Sequence, residues 1–147
     1  MIPRLVLASL ALLVSSAACA AGHISASHAW IRLLPGSLPA AAYVVLHNDS
    51  DTAIRLTGAS SDAFGMIMLH QSTHKDGMAH MGMVSAMDIP AHAIAALAPA
   101  GYHLMLTQPT HALRVGDQVT LSLKFADGSQ LSVPFKLRPA NASSDVD

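Results

Sequence analysis

Seven of the eight methionines, Met66, Met68, Met78, Met81, Met83, Met87 and Met105, fall between positions 66 and 105. Five of the nine histidines, His70, His74, His80, His92 and His103, share that window. Imidazole with thioether is a selective ligand mixture. Thioether is soft and uncharged and competes for no proton, so it suits Cu(I), whereas Zn favours thiolate or imidazole and Ca or Mg demands oxygen. Any one Met is accounted for as flexible core filler. The cluster is not, because the segments nearer both termini carry no Met beyond the initiator.

Strand alternation sharpens the pattern, since side chains at i and i+2 share a face. Over 66–70, Ile67 and Leu69 form one face and Met66, Met68 and His70 the other. Over 102–106, Tyr102, Leu104 and Leu106 oppose His103 and Met105. Two segments thus each set His and Met against an ordinary core face, and Met81 with Met83 adds sulfur.

The rest of the composition narrows the function. Charged residues make up 12%, there is no Glu, and the formal net charge is −1. A nucleic-acid binder would show a basic footprint. The single Cys excludes a disulfide scaffold and, once removed with the leader, a blue-copper electron-transfer centre, which needs a thiolate with two His. No paired carboxylates, nucleophile–base motif or phosphate-cradling loop is visible, so no enzyme is expected.

Residues 1–20, MIPRLVLASLALLVSSAACA, have a positive start, an apolar run and a small-x-small site at Ala18-Cys19-Ala20. That is the layout of a cleaved secretory signal, and the run is too short to span a membrane. Export to the periplasm is expected, with no stable membrane insertion. Lipidation at Cys19 competes, but the usual Leu three places upstream is replaced by Ser16. Cleavage after Ala20 would begin the mature chain Ala21-Gly22-His23, where amine, two amides and the His23 imidazole could take a second ion, Cu(II), in a square plane.

The elements that must position these residues read as strands. Apolar segments alternate over 24–34, 41–47, 54–59, 66–71, 81–87, 102–106, 119–125 and 130–137, with turn residues such as Pro35-Gly36, Asp76-Gly77 and Asp127-Gly128 between them. The expectation is one all-β domain over 21–140, an antiparallel β-sandwich, with a frayed tail over 141–147. His74, Met78 and His80 read as a loop between His70 and Met81 that either collects copper transiently or keeps a mobile segment soluble, the density of two His and a Met in seven residues favouring the first, and the Ala-rich stretch 92–98 reads as a turn of helix. His47 and His111 read as solvated, and His28 as sharing a face with Trp30.

His70, ten residues, Met81, twenty-one residues, His103, one residue and Met105 is a spacing that resembles the signature of the PCu(A)C periplasmic copper chaperones. Residues 99–106, PAGYHLML, resemble that family's GGYHxML segment, and 113–128, LRVGDQVTLSLKFADG, its terminal strand pair. Ala29-Trp30-Ile31-Arg32 and Ala41-Ala42-Tyr43 resemble its opening strands, and the likeness runs over about 24–137. The resemblance implies a cupredoxin-like, immunoglobulin-like sandwich holding one Cu(I) through His70, Met81, His103 and Met105. Met68, Met83 and His80 are auxiliary candidates. It further implies delivery of copper for the dinuclear centre of cytochrome c oxidase, with an oxidase subunit or a thioredoxin-like assembly protein as partner and the chaperone a monomer. The His/Met-rich C-terminal extension that holds Cu(II) in some relatives is not expected here, and Met68 stands where many carry an acid. Three other functions compete: a periplasmic copper buffer without a dedicated client, a copper enzyme, and a plain adhesive or assembly sandwich that binds no metal.

Overall fold

The structure, a computed structural model, describes residues 23–146. The leader, Cys19 and the pair Ala21-Gly22 lie outside the described residues, so the cleavage, lipidation and N-terminal Cu(II) expectations are not addressed by it.

Ten strands follow in order: β1 (Ile24–Arg32), β2 (Ala40–Asn48), β3 (Ile54–Ser60), β4 (Phe64–Lys75), β5 (Met78–Met83), β6 (Met87–Ile89), β7 (Ile94–Leu97), β8 (Tyr102–Pro109), β9 (Gln118–Phe125) and β10 (Gln130–Arg138). No α-helix occurs among the described residues. The hydrogen-bonded path runs β5-β4-β8-β2-β1-β10-β9-β3-β6, with β7 paired to β2. Every pairing is antiparallel except β1 with β10. One edge of β2 is divided, Ala40–Ala42 bonding to β8 and Val44–His47 to β7.

Period-two patterning determines what faces inward. Val119, Leu121, Leu123 and Phe125 of β9 are buried while Gln118, Thr120 and Lys124 are exposed. They meet Ile31, Leu46, Leu56, Leu104, Leu106, Phe135 and Leu137 in one core. The fold is an all-β sandwich, as the alternation implies. A second, smaller cluster lies apart from it, where Trp30 and Tyr43 bury Ala142.

Four local expectations are corrected. Residues 71–81 are no loop: β4 runs on to Lys75, turns at Asp76-Gly77 and returns as β5. Asp76 and Gly77 have φ of 52° and 75°, the two left-handed residues that a two-residue hairpin of type I′ requires. This arm overhangs the core, and all of β5 is exposed, so it carries no burial pattern to announce it. The expected strand over 81–87 is two strands, and Met87, 3% exposed in β6, is core. Residues 94–97 are strand rather than helix, because the β2 edge accepts their backbone and Leu97 fills the core. The tail is tied down at Ala142, 3% exposed, whose carbonyl accepts hydrogen bonds from Arg32 Nε at 3.2 Å and from its Nη2 at 2.9 Å. His28 and Asp145 pair at 2.8 Å beyond it.

Candidate metal centre

The face of β4 that carries Met66, Met68 and His70 is turned away from the core. Leu69, between them, is buried, and Ile67 packs against the same core. On β8, Leu104 and Leu106 are fully buried on the core side. Two strands therefore anchor their even or odd partners in the core and hold His and Met on the far side. Each such buried Leu contributes roughly 1.5–3 kcal/mol to holding that registration.

Register converts this face into a site, because residues opposite one another in an antiparallel pair project on the same side at about 5 Å. His70 is opposite His103, and Met68 opposite Met105. On the other edge of β4, His70 is opposite Met83, and Ser72 opposite Met81. Met83, His70 and His103 thus form one row across three strands. Met68 and Met105 form the next row, and Met81 the rung on the hairpin side.

The two imidazoles lie 5.7 Å apart between ring centroids, with 58° between their planes. A metal–nitrogen bond of about 2 Å puts a ring centre ~3 Å from its ion, so two rings at this separation reach a common ion. His103, 5% exposed, is oriented by the Gly101 carbonyl, which accepts from its Nδ1 at 3.3 Å. The same carbonyl accepts from the Ser72 backbone amide at 3.0 Å, which ties the orienting group to β4. A carbonyl can only accept, so Nδ1 carries the proton and Nε2 keeps a free lone pair. Burial pushes the His103 imidazole below the ordinary histidine value, the Gly101 bond partly opposes this, and the neighbouring His70 adds to it. Burial thus favours the neutral ring, the form in which an imidazole binds a metal. His70 Nδ1 is buried and has no hydrogen-bond partner. An orphaned buried nitrogen in a hydrogen-bonded protein calls for an explanation, and coordination supplies one.

Among the described residues, no three of His, Cys, Asp and Glu come together in a way that could hold a metal. A metal held on this face would draw on thioether sulfur beside the two imidazoles. Met81, His103 and Met105 line one open cavity together with Ser72 and Tyr43; His70 is not among its lining residues but lies against the His103 ring. Met81 is 59% exposed and Met83 71%, so the thioethers on the hairpin side are open to solvent and to a partner. The donor set is two imidazoles and several thioethers, with no carboxylate among the residues that line the cavity. That set fits a soft monocation.

The remaining sequence candidates fall elsewhere. His80 is opposite Thr73, and Met78 opposite Lys75, on the reverse face of the hairpin. His80 is therefore not brought to the His70 face, because it is an odd number of residues from Met81. His74 is opposite Ala79 and shares the site face. His23 is exposed and immediately precedes β1. His47 is not simply solvated, since it sits within β2 and its Nε2 meets Ser27 Oγ at 2.9 Å. His28 occupies a bulge between Ser27 and Trp30 with φ of 51°, which takes it off the Trp30 alternation.

Three residues bordering the site carry no signal as ligands. Tyr43 lies 6.4 Å from the His103 ring and 4.6 Å from Trp30, centroid to centroid. The Arg32 guanidinium stacks over both, at 5.4 Å from Trp30 and 5.3 Å from Tyr43. Burial raises the Tyr43 phenol and the Arg32 charge partly offsets it. Alternation along β1 places Trp30 and Arg32 on one face, which is the only hint the sequence offers.

Fold and face together define a β-sandwich domain that presents imidazole and thioether for a soft metal. A family model described as "Putative lipoprotein LpqE-like" matches residues 24–137, and the chain belongs to that family, which is of PCuAC type. It is 34% identical over 116 residues to "Putative lipoprotein Lxx21020" of Leifsonia xyli subsp. xyli, covering 77% of this chain and 69% of that protein. The solution structure of CuI-DR1885 from Deinococcus radiodurans is 36% identical, with a TM-score of 0.63 over 82% of this chain and 78% of that one. The apo PmoF2 PCuAC domain, 24% identical, shares the fold with a TM-score of 0.68 over 83% of this chain and 94% of that one.

Proposed function

We propose that the protein is an exported, non-catalytic copper chaperone that holds one Cu(I) through His70, Met81, His103 and Met105. The observation that carries the reading is the pairing of His70 with His103, one ring oriented by a carbonyl and the other with an orphaned nitrogen, beside exposed thioethers. The solved relative DR1885, 36% identical, was studied with CuI, which supports the choice of metal.

The chemistry is ligand exchange. His70 and His103 stand on strands braced by the core and keep their places, while Met81, on the overhanging hairpin, is free to move. A partner's thiolates can replace the thioethers one at a time, so the ion is never without ligands. Neutral donors make release easy, because no charge pair has to be broken. The finer reading is that the recipient is the dinuclear copper centre of cytochrome c oxidase, reached directly or through a thioredoxin-like assembly protein, in the periplasm. The lipoprotein descriptions of the family and of the Leifsonia relative fit an exported chain and favour weighing a lipid on Cys19 beside cleavage after Ala20. A free Ala21-Gly22-His23 terminus able to take Cu(II) exists only in the second case.

Anaerobic Cu(I) titration of the mature protein against a chromophoric chelator, followed by mixing with an apo oxidase copper domain, tests the proposal. One tightly held equivalent and its transfer are expected. Tight binding without transfer would favour a buffer, and no binding would remove the chaperone reading altogether.

A further inference from the structure

The hairpin holds a soft-ligand position beyond the four-residue set. Ser72 is opposite Met81, so the diagonal neighbours of Met81 on β4 are His70 on one side and His74 on the other. Diagonal cross-strand neighbours are roughly 7–8 Å apart at the backbone and within reach of long side chains. Met is unbranched with three rotatable bonds, and Met81 is 59% exposed, so nothing pins its thioether to either histidine. His74 is exposed on the same face. Directly opposite His70 stands Met83, 71% exposed, a second thioether able to replace Met81 there.

We infer that His74 and Met81 form an outer Cu(I) position on the β4–β5 hairpin, through which the ion passes to and from the inner His70–His103 pair, Met83 taking the place of Met81 on His70 while Met81 serves the outer position. The inference rests on the chaperone reading and adds a route to it. Each step exchanges one neutral donor for another on the same ion, with no change of oxidation state and no proton moved. The register makes the position specific. His80 is exposed as well and stands only one rung further from the turn than His74, yet it lies on the reverse face beside Thr73 and has no part in it.

Anaerobic Cu(I) titration of the mature protein through two equivalents, followed by NMR of histidine rings and methionine methyls, tests this. The first equivalent should move the His70 and His103 rings, and the second the His74 ring. His74→Ala should weaken the second equivalent at least tenfold while leaving the first within twofold, and should slow copper loss to a chelator severalfold. His80→Ala should change neither equivalent by more than twofold. A His74 ring unmoved through two equivalents overturns the outer position, as does equal loss in both variants. Failure of the first equivalent to move His70 and His103 would instead overturn the underlying copper-site reading, and the outer position with it.

Discussion

Replacing His70 with Leu should make the copper-free protein more stable and leave it unable to hold copper. His70 Nδ1 is buried with no hydrogen-bond partner, so the folded copper-free chain bears its desolvation. An unsatisfied buried polar group costs about 1–3 kcal/mol. Leu is of similar size and adds apolar surface beside the partly buried ring site, so a net gain of about 1–2 kcal/mol is expected. For a domain of this length that corresponds to a rise in Tm of roughly 3–8 °C. Cu(I) at a hundredfold excess over its Kd should stabilise the wild type by about 2.7 kcal/mol, through binding to the folded state alone. Leu at position 70 should gain nothing comparable. The expected order of Tm is therefore copper-free wild type, then His70→Leu with or without copper, then copper-loaded wild type. Anaerobic thermal denaturation followed by circular dichroism reads all four samples, with chelator competition giving the affinities. A copper-free His70→Leu protein less stable than wild type by 1 kcal/mol or more would refute the claim that the buried nitrogen is held ready for a metal.

Met105→Leu should lower Cu(I) affinity at least tenfold in the same competition assay while shifting Tm of the copper-free protein by no more than a few degrees, since Leu conserves volume at a partly buried site. Because burial holds the folded-state pKa of His103 below its unfolded value, the unfolded chain binds the extra proton first. Its contribution to copper-free stability is therefore fully present above about pH 6.5 and is lost as pH falls from there through the depressed folded value. Urea midpoints at pH 7.5 and 5.5 should show that decline, and His103→Gln should flatten it. Arg32→Ala removes two stacking contacts and both hydrogen bonds to the Ala142 carbonyl, for a loss of about 1–2 kcal/mol. Limited proteolysis should then trim the tail from about residue 139 in the variant and spare it in the wild type.

Much of the candidate site was legible before any fold was known, because its proposed ligands are rare residues. Sulfur and imidazole crowd one window, and alternation alone sorts Met66, Met68 and His70 from Ile67 and Leu69, as burial bears out at Leu69, Leu104 and Leu106. The sandwich class was legible for the same reason, from the alternation of β9 and β10. What misled was any segment lacking an apolar face. The hairpin arm and Ile94–Leu97 read as loop and helix because their strand state comes from backbone pairing with a neighbour, which residue patterns do not record.

The sequence by itself determined the chemistry: a chain rich in soft uncharged sulfur donors, poor in charge, with no Cys after position 19, and strands with one face to spare. Only the tertiary structure decided which donors meet. His70 and His103 are separated by 32 positions and face each other because β4 and β8 pair in one register and no other. A slip of one residue would turn His103 toward the core and Leu104 toward the metal. The same pairing rule sets His74 on the site face and His80 behind it, whereas the sequence alone offers His80, and not His74, as an auxiliary ligand. Composition names the candidate ligands, but the register of the strands selects among them, since a side chain's direction follows from its partner across the sheet and not from its own identity.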